Sequence, residues 1–248
     1  MAKSDLAKEG SLADLSGYFR SSFAMGAIGT AFGAGLGLKM LSGSTRDATN
    51  FGLGLFGDLS SAFAGIELVI QGEENLWKSR PAIFIFNHQS IADGFVIVKL
   101  VRKDLAGVGK KEIGKVPFLK QITSAAGLVL IDRSRSKDAI TAMQPLVDAI
   151  KNENKSIVIA PEGTRSVDGT LLPFKKGAFH LAIQAGVPVV PIVLHNTAAI
   201  MPKGKFGTRP GKVKVEVLAP VDTSKWKSKT VQNHVDEVRA LFLNALGS

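Results

Sequence analysis

The chain has no cysteine, and its 248 residues include only four histidines, two tryptophans and one tyrosine. Lack of cysteine excludes a disulfide framework, a Cys-ligated zinc site, an iron–sulfur cluster and a covalent thioester on the protein itself. Four histidines leave little room for a His-rich metal site, so no metal is expected. Charged residues make up only 21% of the chain against 45% hydrophobic, which excludes low-complexity disorder and suffices for a sizeable core. There is no P-loop Gly-Lys-Ser/Thr and no G-x-S-x-G nucleophile elbow. At this length one large domain is the expectation.

Positive charge is what the chain has in excess: 31 Lys+Arg face 21 Asp+Glu, a net +10. That balance points to an anionic partner, whether nucleic acid, a phospholipid surface or a phosphorylated substrate. Residues 1–66 are neutral, with Lys3, Lys8, Arg20, Lys39 and Arg46 against Asp5, Glu9, Asp14, Asp47 and Asp58. The excess therefore lies in residues 67–248. Lys99 to Lys120 holds seven Lys/Arg against Asp104 and Glu112, and Lys203 to Lys214 holds five with no acid. Neither stretch interleaves aromatics with its cations, and no zinc-finger, homeodomain or RNP-like string accompanies them, so no nucleic acid is expected as partner.

Ser21 to Leu38 is an uncharged run of 18 residues that includes Gly26, Gly29, Gly33, Gly35 and Gly37. As a helix it spans ~27 Å, just short of a bilayer's hydrocarbon thickness of ~30 Å. Glycine disfavours an exposed helix in water, whereas the spacing of Gly29, Gly33 and Gly37 predicts close packing against a second helix. That second helix is expected over Phe51 to Ile66, after a polar connector from Ser42 to Asn50. Residues 1–66 thus read as an apolar helical hairpin that dips into or lies on a membrane; the other reading is two helices covering a soluble domain. No signal-peptide n-region or cleavage site is evident. Gly52-Leu53-Gly54-Leu55-Phe56-Gly57 matches a dinucleotide fingerprint, but a polar connector precedes it where a strand is required.

From residue 67 onward, short apolar runs alternate with helical patterns. Strands are predicted at Glu67–Ile70, Ala82–Phe86, Ala106–Gly109, Val129–Ile131, Ile157–Ala160, Val189–Leu194 and Val213–Leu218. Ile140, Met143, Val147 and Ile150 suggest a helix that Pro145 must kink or shorten. Val231, Val235, Val238, Phe242 and Ala245 form an apolar stripe on a final helix. The expected fold is α/β, a mostly parallel or mixed sheet flanked by helices in residues 67–248.

Functional groups in such sheets collect just past strand ends. Asn87-His88-Gln89-Ser90-Ile91-Ala92-Asp93 follows one predicted strand. An imidazole is a natural general base near neutral pH, and a carboxylate on its other nitrogen fixes the tautomer. Five residues apart on one helix, His88 and Asp93 diverge by ~140°. They meet only if His88 sits in the turn and Asp93 in the first helical turn, with Ser90 as N-cap. A capping box that uses Asp93 alone is the competing account. Pro161-Glu162-Gly163-Thr164-Arg165-Ser166 follows a second strand, and its arginine, glycine and hydroxyl suit a phosphate. Gly109-Lys110-Lys111-Glu112 follows a third and adds two cations. His180 and His195 sit in apolar runs and read as core histidines, while Lys175 is either a phosphate neighbour or a surface charge.

Together these residues resemble the lysophosphatidic acid acyltransferases of the glycerolipid acyltransferase superfamily. Asn87-His88-Gln89-Ser90 with Asp93 is similar to their H-x4-D motif. Gly109-Lys110-Lys111-Glu112 through Pro117-Phe118 to Ile131-Asp132-Arg133 is similar to a second block, and Glu162-Gly163-Thr164-Arg165 to a third. Phe174-Lys175-Lys176-Gly177-Ala178 and Val187-Pro188-Val189-Val190-Pro191-Ile192 follow in family order. Ala160 stands where many relatives carry Phe. The resemblance implies fatty acyl transfer from acyl-CoA or acyl-carrier protein to the free hydroxyl of lysophosphatidic acid, with no bound cofactor. It makes His88 the base and Asp93 its orienting partner. Lys110, Lys111, Arg133, Glu162, Gly163, Thr164 and Arg165 become substrate-binding residues. It also implies association with an anionic phospholipid membrane, the active site facing the cytoplasm. Alternatives are another acceptor, glycerol 3-phosphate or a lysophospholipid, and a non-catalytic lipid-binding module.

Overall fold

The computed structural model describes residues 3–110, 128–131, 143–166, 169–202 and 204–247. Two antiparallel helices come first, α1 (Lys3–Ser42) and α2 (Thr45–Ala64). Among the described residues seven strands follow: β1 (Ile66–Gln71), β2 (Ile83–Phe86), β3 (Leu105–Lys110), β4 (Leu128–Ile131), β5 (Ser156–Ile159), β6 (Val189–Leu194) and β7 (Gly211–Val217). Between and after them lie α3 (Asn75–Lys78), α4 (Ala92–Val101), α5 (Gln144–Glu153), α6 (Gly177–Ala185), α7 (Thr197–Ile200) and α8 (Val231–Leu246). The expected α/β class with a mixed sheet is what the chain adopts, and each of the seven expected strands is present.

The strands form one sheet in the order β1-β7-β6-β2-β5-β3-β4, parallel throughout except for the β6–β7 pair. β2 shows why its sequence is an unbroken apolar run. Phe84 faces a core shared with α4 and the hairpin, while Ile83 and Ile85 face a second core under α5, α6 and α8. A strand buried on both faces carries no polar alternation. Pro145 does not kink a longer helix; it stands in the first turn of α5, where a missing N–H costs nothing. Ile140 lies outside the described residues.

The hairpin packs differently from the sequence spacing. Gly29, Gly33 and Gly37 face open space. The buried stripe of α1 runs instead through Gly17, Ser21, Ala24, Ala27, Ala31 and Gly35, one face over from those glycines. A Cβ on Gly35 would lie 2.9 Å from the Ala48 carbonyl oxygen, and one on Gly52 3.2 Å from that of Ala31. α2 in turn lies on α4, where a Cβ on Gly57 would come within 2.7 Å of the Lys99 backbone. The apparent dinucleotide fingerprint is therefore the middle of a helix, with Gly52 and Gly57 used for helix–helix approach. Charge fastens the same hairpin. Asp58 accepts two hydrogen bonds from Arg102 (3.0 and 2.7 Å) and faces Lys99 at 3.3 Å, while Arg46 meets Asp104 at 2.7 Å. The outer face stays apolar, with Phe19, Phe23, Leu36, Met40, Leu41 and Phe63 exposed. Asp14–Ser42 is long and apolar enough to cross a membrane by length and composition.

Candidate active site

After β2 the chain runs to α4 and on to β3, on one side of β2; after β5 it returns through α6 to β6, on the other side. The C-terminal ends of β2 and β5 thus border a topological switch point, where open α/β sheets bind ligands. Both motif loops emerge there.

His88 sits in the turn after β2 and Asp93 in the first turn of α4, the placement their pairing requires. His88 Nδ1 lies 2.7 Å from Asp93 Oδ2. The same oxygen accepts the Gln89 and Ser90 backbone N–H groups at 2.8 and 2.9 Å. The two accounts of Asp93 are therefore both satisfied: it closes the turn and orients the imidazole. Asp93 is fully buried, whereas the His88 side chain keeps 26% of its exposure. With Nδ1–H assigned to Asp93, Nε2 is left with its lone pair for a substrate proton. Helix α4 begins at Ala92, so Ser90 stands one residue ahead of the N-cap, yet its Oγ still accepts the Ala92 N–H at 3.1 Å.

The loop after β5 grips His88 by both backbone groups. Glu162 Oε1 accepts the His88 N–H at 2.6 Å, and Ser166 N donates to the His88 carbonyl at 2.9 Å. Glu162 Oε2 accepts the Leu172 N–H at 2.9 Å. This carboxylate is 3% exposed, and both its oxygens are committed to backbone. Burial pushes the Glu162 carboxyl above its ordinary value, partly offset by those N–H groups and by His88. Gly163 adopts φ +71°, and a Cβ there would lie 2.8 Å from Lys175 Nζ. Lys175 is thus a neighbour of the loop, its own N–H bonded to the Pro161 carbonyl at 2.8 Å. Arg165 adjoins Ser166 on the same loop, and Thr164 is exposed.

The structure brings His88, Asp93, Glu162, Gly163, Thr164 and Arg165 to one end of the sheet. Lys110 closes β3 with its backbone, but its side chain, with all of Lys111 and Arg133, lies outside the described residues. Asn87 stands in the motif but has no role that the sequence announces. Its side chain donates to the Leu194 carbonyl at 2.8 Å and accepts the Leu194 N–H at 2.7 Å, stitching the His88 turn to β6. The available signal was a buried amide at the end of an apolar strand, which must find partners. His195 is not a core histidine as expected. It is half-buried with Nε2 3.1 Å from Glu216, and burial and Lys214 lower its pKa. Among the described residues no three His, Asp or Glu side chains gather as a metal-ligand set.

The acyltransferase family model matches residues 67–195, a stretch that takes in both loops. A 1-acyl-sn-glycerol-3-phosphate acyltransferase of Limnanthes alba is 38% identical over 192 residues, covering 77% of this chain and 68% of its own. One from Salmonella typhimurium is 36% identical over 188 residues, covering 76% of each. The crystal structure of the 1-acyl-sn-glycerophosphate acyltransferase PlsC from Thermotoga maritima superposes with a TM-score of 0.77 at 26% identity, over 94% of this chain and 97% of that one. A family model that spans more than half of the chain, relatives that share more than a third of their aligned residues with it and a common fold agree: the chain belongs to the acyltransferase family.

Proposed function

We propose that this acyltransferase moves a fatty acyl group from acyl-CoA or acyl-carrier protein to the free hydroxyl of lysophosphatidic acid, giving phosphatidic acid. The observation that carries the reading is the 2.7 Å contact of His88 Nδ1 with buried Asp93, which leaves Nε2 as the base. Nε2 removes the hydroxyl proton as that oxygen attacks the thioester carbonyl. The imidazolium so formed is stabilised by Asp93 and returns its proton to the departing thiolate as the tetrahedral intermediate collapses. The new oxygen ester replaces the thioester, a free thiol is released, and no acyl-enzyme is required. Arg165 holds the acceptor phosphate, with Lys110, Lys111 and Arg133 as further cations and Gly163 and Thr164 shaping the approach. Glu162 serves the site from beneath, through the His88 backbone. The enzyme works on an anionic phospholipid membrane with its site on the cytoplasmic side; the exposed apolar face of α1 and α2 supports the membrane contact.

The acceptor is tested by one panel: the whole chain on vesicles, with acyl-CoA or acyl-carrier protein against lysophosphatidic acid, glycerol 3-phosphate and a neutral lysophospholipid. Lysophosphatidic acid should be acylated fastest, with phosphatidic acid as product. Faster acylation of either other acceptor would overturn the assignment.

A further inference from the structure

Segment 204–210, ahead of β7, lies within the basic stretch that ends at Lys214, yet none of its residues belongs to the site described above. Its root touches the His88 turn: Ser90 Oγ donates to the Met201 carbonyl at 2.7 Å, and Met201 is buried. Its far end is fixed to the hairpin. Thr208 N donates to the Gly17 carbonyl at 3.1 Å, and Gly211 N to that of Gly65 at 2.9 Å. A Cβ on Gly17 would lie 3.0 Å from the Thr208 carbonyl oxygen, so strap and helix touch backbone to backbone. Between these anchors the chain turns outward at Gly204, φ +81°, and presents Lys205, Phe206 and Arg209 to solvent.

Two features at this bulge point to the same partner. Phe206 is 45% exposed, and its ring meets the edge of Tyr18, itself 54% exposed, at 5.2 Å. Tyr18 continues into Phe19, Phe23 and Phe63, so the bulge prolongs the apolar outer face of the hairpin. Tyrosine favours the interface between headgroups and acyl chains, and an exposed phenylalanine beside it adds apolar surface to bury there. The second feature is charge. Lys212 and Lys214 are committed to Glu67 (3.4 Å) and Glu216 (2.7 Å). Lys205 and Arg209 show no carboxylate partner among the described residues, and the sequence from 203 to 214 contains no acid at all.

We propose that segment 204–210 is a second membrane contact: Phe206 with Tyr18 settles at the interface while Lys205 and Arg209 engage anionic lipid headgroups. The strap thereby senses surface charge one hydrogen bond away from the turn that holds His88. The inference rests on the reading above that the enzyme works at a bilayer surface; what it adds is a lipid-charge reader outside the hairpin.

The experiment is vesicle partitioning of the whole protein and of the K205A/R209A variant. One vesicle set is neutral phosphatidylcholine; the other contains phosphatidylglycerol as well. Each basic group near an anionic surface typically changes partitioning several-fold. The variant should therefore bind the phosphatidylglycerol vesicles at least about tenfold more weakly than wild type, while binding to neutral vesicles is unchanged. Raising the salt should shrink the gap. Transfer of acyl groups to detergent-dispersed acceptor should match wild type and show that the variant is folded. Equal binding of wild type and variant to anionic vesicles would overturn this proposal alone. No binding of the wild type to either vesicle would overturn the membrane reading with it.

Discussion

A carboxylate that accepts two backbone N–H groups and an imidazole N–H is held in both position and orientation. Asp93 is such a group, and it needs no side-chain freedom to steer His88. Glu162 acts on the same residue from the other side, with one oxygen on His88 N and the other on Leu172 N. A glutamine at position 162 keeps the size but can accept at only one of those atoms, leaving an N–H facing an NH2 group. We expect Glu162→Gln to lower kcat about tenfold or more with little change in KM; a kcat within twofold of wild type would contradict the role. The pH dependence has a definite sign. Burial raises the Glu162 carboxyl, so its contribution to stability is complete below the unfolded value of about 4.3 and declines as pH rises through the folded one. In denaturant titrations the stability of wild type relative to the variant should therefore be greater at pH 4 than at pH 7.5. The H-x4-D spacing was legible in sequence because residue types announce acid–base chemistry. The partners of Glu162 were not, since they are backbone atoms at residues 88 and 172 and carry no side-chain signature.

At the scale of elements, apolar runs revealed the strands because burial on both faces removes polar alternation, as in β2. Strand direction was not legible; β7 reads like its parallel neighbours yet runs antiparallel to β6. The hairpin shows a second limit. Every third or fourth residue of α1 is small enough to seed a seam, so composition announced close packing while the phase of the seam depended on what α2 offered. α2 itself is sandwiched, with Gly52 on α1 and Gly57 on α4. Gly57→Ala pushes a methyl to within 2.7 Å of the Lys99 backbone, which cannot give way as a flexible side-chain tip would. Overpacking of this kind costs about 1–3 kcal/mol. The urea midpoint of the variant should fall accordingly, and an unchanged midpoint would contradict the close approach.

Over the whole molecule, the long axis of the hairpin links the two ends of the sheet. Near Ser42 it is fastened by Arg46 to Asp104, just before β3, and near Gly17 it meets the strap that leads to Ser90. The exposed apolar face of the hairpin therefore continues to the end of the sheet where His88, Asp93 and Arg165 gather. Under the proposed function, this arrangement would let a lipid acceptor reach His88 without leaving the membrane surface. The positive charge of the chain divides along the same lines: some cations fasten the hairpin, others stand at the strap and the Glu162–Arg165 loop. The account stands or falls on His88 as the proton acceptor, a contribution worth ~10²–10⁴-fold. The decisive measurement is transfer of radiolabelled acyl groups to lysophosphatidic acid on vesicles by wild type and His88→Ala, with circular dichroism to show that both are folded. The account predicts a loss of at least about a hundredfold; a folded variant that turns over near the wild-type rate would contradict it.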